Sequence, residues 1–300
     1  MHTYDVIITG GSYAGLSAAM SLGRSLKQVL VLDSGLPCNR QTPHSHNFLT
    51  RDGETPAALA AIAKAQVQQY NTLQFKNAIV TGGTITNDGF VLETADGEHF
   101  GAKKLLFATG VKDEMLPLKG FAESWGISVL HCPFCHGYEV KQAPTGILAS
   151  GEAAFEYARL ISNWTDQLTI FTNGNTGLSA EQLEKITANR IAVNDMEIAE
   201  IVQEHGQISH LLFKDGSVHP LQAMYCRPPF SQHCPVPEAL GCQLTDAGHI
   251  AVDTFWATSV PGIYAAGDAA TPFRSVSAAV AAGTTAGAVI TRELVLAAFG

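Results

Sequence analysis

The sequence predicts an α/β protein of two three-layer, parallel-sheet domains, the second inserted in the first. Three observations predict it. A strand, a glycine turn, a helix and a second strand follow one another between Tyr4 and Asp33. A second run of the same kind starts at Thr145. After Gly262 the chain returns to strand, glycine turn and one long helix, as if resuming the first domain. Each run is the βαβ unit of a Rossmann-like dinucleotide domain. The boundaries fall near residues 113 and 246: residues 1–113 and 246–300 form one discontinuous domain, and 114–245 the insert.

The elements justify this in order. Tyr4–Thr9 (YDVIIT) is a short apolar run closed by Gly10-Gly11, the pattern of a buried parallel strand. Ala14–Ser25, rich in small and aliphatic residues, predicts a helix, and Gln28–Asp33 (QVLVLD) a second buried strand. Thr55–Tyr70 is an alanine-rich helix with Thr55 as N-cap and Pro56 in its first turn. Residues 78–98 alternate around Asn87-Asp88-Gly89 and Asp96-Gly97, as in a small antiparallel meander. Lys104–Ala108 is a buried strand ending at Thr109-Gly110. In the insert, Thr145–Ser150 and Gln167–Phe171 are strands flanking a helix over Glu152–Asn163, and Ile263–Ala265 and Ser277–Leu296 close the chain as strand and helix.

The 300 residues are 46% hydrophobic and 15% charged, enough for two globular domains. A net charge of −9 gives no concentrated Lys or Arg to neutralise phosphates, which argues against nucleic acid and anionic membrane as partners. No apolar run approaches the ~20 residues of a membrane span. Nor does the N-terminus resemble a signal peptide, so a cytosolic location is expected. In a reducing compartment a Cys-x-x-Cys pair points to redox work or metal rather than to a structural framework.

Gly10-Gly11-Ser12-Tyr13-Ala14-Gly15 matches the dinucleotide fingerprint, with Ser12 in place of the middle glycine. The chemistry needs Gly10 at the sharp turn and a small residue at 12 so that backbone can approach a pyrophosphate. Gly15 lets the helix pack closely on the strand. The helix N-terminus offers free N–H groups to the phosphates. Asp33 ends the second strand, where an acid would bind an adenosine ribose.

Cys132 and Cys135 are spaced to open and close as a disulfide at a helix start, where the dipole favours thiolate. His136 follows directly and titrates near neutral pH, suited to moving the proton of thiol–disulfide exchange. Zinc is the competing reading of His131, Cys132, Cys135 and His136. Adjacent residues such as Cys135 and His136 rarely close one tetrahedral site, and no second Cys-x-x-Cys exists, so no metal is expected. Cys38, Cys226, Cys234 and Cys242 read as small apolar residues.

The fingerprint, Ala108-Thr109-Gly110, the Cys-x-x-Cys and Thr258–Asp268 (TSVPGIYAAGD), in this order, resemble the low-molecular-weight thioredoxin reductases over essentially the whole chain. That resemblance implies a homodimeric FAD enzyme with an inserted NADPH domain, and a thioredoxin-like protein or small dithiol as partner. It implies that Gln41 and Asn47 lie along the flavin and that Thr109, Gly110, Gly267 and Asp268 border it. Arg274, Ser275 and Val276 would open the last helix toward the flavin pyrimidine edge. Cys135 would be the flavin-facing thiol and Cys132 the exchanging one.

The insert departs from this family. Where Gly-x-Gly-x-x-Ala would bind NADPH, the chain has Ala149-Ser150-Gly151-Glu152-Ala153-Ala154, and the following strand leads into Thr172-Asn173-Gly174-Asn175 without Arg or Lys. Weak NAD(P)H binding is expected. Cys132–Glu139 (CPFCHGYE) resembles the branch of FAD-dependent dithiol oxidases, which close a substrate disulfide and pass electrons to oxygen. The residues leave open a reductase, an oxidase, or a flavin redox sensor without turnover.

Overall fold

The computed structural model describes residues 3–300. The chain divides into two compact units. One comprises the chain up to Arg40, Asn47–Lys112 and Phe230–Gly300; the other comprises Gln41–His46 and Asp113–Pro229. Both are built on parallel sheets.

In the first unit, Thr3–Thr9 lies at the centre of a seven-stranded sheet. Val29–Asp33 and then Leu73–Asn77 extend it in parallel on one side, and His99–Phe107 pairs on the other. Ile263–Ala265 pairs parallel with the end of His99–Phe107, while the antiparallel strands Val80–Thr86 and Gly89–Thr94 continue from its start. Val6, Ile7 and Ile8 are all fully buried, as expected of a strand covered on both faces. Alternate residues enter different layers. Val6 and Ile8 pack with Ala14, Leu22 and the C-terminal helix, whereas Ile7, Leu30 and Phe107 pack with Leu92, Val236 and Leu240.

The C-terminal helix, Val276–Phe299, lies against the helix Tyr13–Arg24. The approach is backbone to backbone: a Cβ added at Gly283 would stand 2.0 Å from the carbonyl oxygen of Ala14. Its length and mean hydropathy of 1.3 meet the dimensions of a membrane span, which corrects the expectation that no apolar stretch does so. Scattered Thr and Gly interrupt any continuous apolar run, but the average over the helix remains high. The helix face carrying Ala279, Ala282, Gly283, Ala286 and Ile290 is buried within this unit.

The second unit has a five-stranded parallel sheet: Ala192–Asn194, Leu168–Phe171, Thr145–Leu148, Ala223–Cys226 and Val129–Leu130, in that spatial order. On one face Ile147, Ile170 and Tyr225 pack with the helices Gly151–Ile161 and Ala180–Ala188. On the other, Leu148, Phe171 and Met224 pack with Phe121, Trp125 and the antiparallel strands Ile198–Glu204 and Gln207–Phe213. No element was read between 173 and 245 from sequence. A signal was present, because Ser179 and Gln182 form a capping box that starts the helix Ala180–Ala188.

The second domain boundary is also corrected. It lies at Pro229/Phe230 rather than near 246. Cys234, Val236, Leu240 and Cys242 carry the segment into the core of the first unit, against Val80, Phe90 and Leu92. The six residues Gln41–His46 group instead with the insert.

The helix contact generates a stability prediction. Gly283→Ala should destabilise the protein by about 2–3 kcal/mol, because neither backbone can yield to the added methyl. Thr284→Ala, on the exposed face of the same helix, should cost less than about 0.5 kcal/mol. Urea unfolding of the two variants checks this; equal stability would contradict it.

Candidate redox site and dinucleotide turns

The first turn is shaped by contacts that exclude side chains. Gly10 has φ +104°, and a Cβ there would meet the carbonyl oxygen of Ala108 at 2.3 Å. A Cβ at Gly15 would lie 1.9 Å from the carbonyl oxygen of Gly10, so this glycine lets the helix close onto its own turn. The Gly11 N–H donates to Oδ1 of Asp33 at 2.9 Å, which ties the turn to the end of the second strand. Ser12 caps the helix Tyr13–Arg24 by position without a side-chain hydrogen bond. The Tyr13 hydroxyl accepts from Nδ2 of Asn39 at 3.4 Å.

Thr109 and Gly110 follow the strand His99–Phe107. The Thr109 Oγ1 is buried with no hydrogen-bond partner among the described residues, and a Cβ on Gly110, at φ +66°, would meet open space. A partnerless buried hydroxyl beside an open glycine and a glycine-lined turn fits a bound dinucleotide in this unit. Asp268 and Arg274 pair at 3.5 Å (Oδ2 to Nε), both largely buried, and the Sγ of Cys38 lies 3.8 Å from the same carboxylate oxygen. Cys38, read only as an apolar residue, is thus an exposed thiol beside an acid. Gly267, at φ +74°, approaches Ala14 closely, a Cβ there falling 3.0 Å from that of Ala14. Ser275 caps the C-terminal helix by accepting from the N–H of Ala278, and Val276 is its first residue. Asn47, at φ +59°, donates its N–H to Asp52 within this unit, whereas Gln41 belongs to the other.

In the second unit Cys132 and Cys135 are joined as a disulfide with their Cα atoms 5.3 Å apart. Cys132 precedes the one-turn helix Pro133–His136, and both cysteines are half-buried. Gly137 allows this turn to close: a Cβ there would strike the Pro133 carbonyl oxygen at 2.5 Å and the Trp164 indole at 2.8 Å. Trp164 meets the Phe134 ring edge-on at 5.7 Å. Beneath the turn, the Tyr157 hydroxyl donates to the backbone oxygen of His131 at 3.1 Å. Burial pushes the pKa of His136 down; nearby Glu139 opposes that shift and His46 adds to it. His46 and Glu139 are themselves paired at 3.6 Å (Nε2 to Oε1). Neither received a role from sequence, although Glu139 stands three residues after His136. Among the described residues no cluster of three or more His, Cys, Asp or Glu side chains could hold a metal ion.

The second dinucleotide turn is closed by its own chain. The Gly151 N–H, at the start of the helix Gly151–Ile161, donates to the backbone oxygen of Thr176 at 2.9 Å. A Cβ on Gly177 would lie 3.2 Å from the Gly151 nitrogen. Oε2 of Glu152, in the first helical turn, accepts from Nε2 of Gln182 at 2.7 Å.

This chain matches the Pyridine nucleotide-disulphide oxidoreductase family over residues 4–283. It is 31% identical over 301 residues to the thioredoxin reductase tcpT of Claviceps purpurea, covering 97% of this chain and 94% of that protein. It is 31% identical over 302 residues to the thioredoxin reductase sirT of Leptosphaeria maculans, covering 95% and 92%. Its fold superposes on an oxidoreductase from Agrobacterium tumefaciens with a TM-score of 0.92 at 36% identity, over 98% of this chain and 99% of that one.

Thiol reactivity should follow burial. Cys38 is exposed, whereas burial raises the pKa of Cys234 and Cys242 and pushes that of Cys226 up to about 12. At pH 8, Cys226 is then thiolate in about one molecule in 10⁴. Iodoacetamide applied to native protein without reductant should label Cys38 alone, as read by peptide mass spectrometry. Prompt labelling of Cys226 would contradict the burial.

Proposed function

Belonging as it does to the pyridine nucleotide-disulphide oxidoreductase family, this chain is a thioredoxin reductase-like, flavin-dependent disulfide oxidoreductase, and we propose that it uses FAD and exchanges its Cys132–Cys135 disulfide with a dithiol. The observation that carries this reading is the formed disulfide on a short helical turn with the His136 imidazole in the next position. The glycine-lined turn around Gly10, with Ser12, Asp33 and the Thr109 hydroxyl, supports FAD in the first unit. Gly267, Asp268, Arg274, Ser275 and Val276 would complete that site. A cytoplasmic homodimer with a thioredoxin-like protein or small dithiol as partner belongs to the same reading.

The exchange follows from the residues. A substrate thiol gives its proton to His136, and its sulfur attacks Sγ of Cys132. The Cys132–Cys135 bond breaks and its electron pair goes to Sγ of Cys135, which leaves as thiolate. The second substrate thiol then displaces Cys132 from the mixed disulfide, its proton passing to Cys132 while His136 returns the first proton to Cys135. The substrate leaves as a disulfide, and two cysteine thiols remain. Run backward, the same steps open the disulfide of a thioredoxin-like partner. FAD, when bound, supplies a two-electron store that takes or returns the electron pair of the dithiol.

A second reading, oxidation of a dithiol with dioxygen as the final acceptor, is favoured by the closed second turn. Gly151 spends its N–H on Thr176, and Glu152 places a carboxylate where a pyrophosphate would dock. In that reading NAD(P)H is a poor donor.

Anaerobic titration of the purified yellow protein tests both. Dithiothreitol should bleach the flavin absorbance quickly. NADPH and NADH should be slow and indistinguishable. Rapid bleaching by micromolar NADPH but not NADH would replace the oxidase with an NADPH-dependent reductase. Cys132→Ser and Cys135→Ser should each lower dithiol turnover by at least about 10³-fold. Full turnover in both would sink the dithiol role, and absence of turnover in the unaltered protein would leave a flavin redox sensor.

A further inference from the structure

His136 does not stand alone beside the disulfide. Glu139 lies three residues further on, in the turn that follows the helix Pro133–His136, and its Oε1 is 3.6 Å from Nε2 of His46. His46 comes from Gln41–His46, a segment remote in sequence that groups with the disulfide-bearing unit. That segment is seated there by a further contact: a Cβ on Gly126, at φ +76°, would lie 3.2 Å from the Thr42 hydroxyl oxygen. The His46 side chain is 21% exposed and that of Glu139 37%, so the imidazole is the better covered member of the pair.

From this geometry we infer that Glu139 and His46 are positioning residues for His136: Glu139, paired with His46, supports the imidazolium that forms when His136 takes the thiol proton. The inference rests on the exchange chemistry proposed above. The proton moves from the incoming S–H to a ring nitrogen of His136. Glu139 and His46 stay chemically unchanged and act through charge and orientation.

Other titratable groups face the same cluster. His44 is next to His46, with ring centroids 6.3 Å apart. From the sheet, burial raises the pKa of the Tyr225 hydroxyl, and Glu139 and Tyr157 raise it further. The Tyr225 phenol therefore stays neutral across the working range and cannot supply the charge that opposes the imidazolium. Arg227 lies over the Tyr157 ring at 4.7 Å, and Tyr157 holds the His131 backbone. Glu139 is thus the carboxylate of the cluster around His136, and His46 is its neighbour at 3.6 Å.

The two members of the pair act on His136 in opposite directions, which makes the test specific. Removing the Glu139 charge should make the imidazolium harder to form. Removing His46, which in its charged form repels the imidazolium, should make it easier. In holoprotein carrying ¹³C-labelled histidine, with the His136 signal assigned by its loss in His136→Gln, Glu139→Gln should lower the titration midpoint of His136. The shift should be on the order of one pH unit. His46→Gln should raise it, by less. The acid limb of the pH–kcat profile for dithiothreitol oxidation should move the same way in each variant, with kcat falling about tenfold in Glu139→Gln and KM unchanged.

Should His46→Gln fail to fold, His46→Asn makes the same measurement. A midpoint unmoved in both variants, or moved in one direction by both, overturns the inference even if Cys132→Ser is inactive. Undiminished turnover in Cys132→Ser would instead overturn the exchange chemistry on which it rests, whatever the imidazole titration shows.

Discussion

The first unit depends on one constraint, the approach of backbone to backbone around Ala14. The carbonyl oxygen of Ala14 sits where a side chain at Gly283 would be, and Gly267 packs against its methyl group. One residue on, Gly15 lets the helix close onto the Gly10 carbonyl, and Gly10 in turn clears that of Ala108. Four glycines from distant parts of the sequence thus bring the first turn, the strand His99–Phe107 and the C-terminal helix within van der Waals reach. With side chains absent from this junction, what remains is main-chain N–H and C=O, a surface that can meet a phosphate group. The same packing fixes Asp33 against the turn through the Gly11 N–H.

The insert repeats the strand–turn–helix–strand plan and spends it differently. In the first unit the turn is tied by a side chain, Asp33, at the end of the neighbouring strand. In the second it is tied by main chain: the loop after Leu168–Phe171 folds over the turn and places Thr176 and Gly177 on Gly151. That loop is itself fixed, since the Asn173 side chain accepts from the N–H of Ile198 at 2.7 Å and the Gly174 N–H donates to the Asp195 backbone at 2.8 Å. One topology therefore spends a glycine N–H of the turn in both units, on a side chain in the first and on main chain in the second. The chemistry proposed for the insert lies at the Cys132–Cys135 turn, where half-buried sulfurs are followed by the His136 imidazole and the His46–Glu139 pair.

Much of this was legible in sequence because it is local. The fingerprint from Gly10 to Gly15, the apolar runs at Tyr4–Thr9 and Gln28–Asp33, and the Pro-capped helix after Thr55 each depend on neighbours within a few residues, and each forms where expected. The spacing of Cys132 and Cys135 likewise suffices for a disulfide. The antiparallel strands between Ile198 and Pro220 were harder to read, because their pattern is short and shifts register between Val202 and Gln203. The domain boundary was misplaced because Phe230–Thr245 has no strong period. Its place follows from where Cys234, Val236 and Leu240 find apolar partners.

The sequence by itself determined the α/β class, the duplicated βαβ plan, the glycine turn and the pairing of Cys132 with Cys135, since glycine stereochemistry and cysteine spacing act over short distances. Only the tertiary structure decided which groups meet. It closed the second turn with Thr176, brought Cys38 to Asp268, and delivered His46 to Glu139 beside His136. These contacts join residues dozens to hundreds of positions apart, and no local pattern encodes them. They are set when the sheets pack and the loops take the course that this packing leaves open.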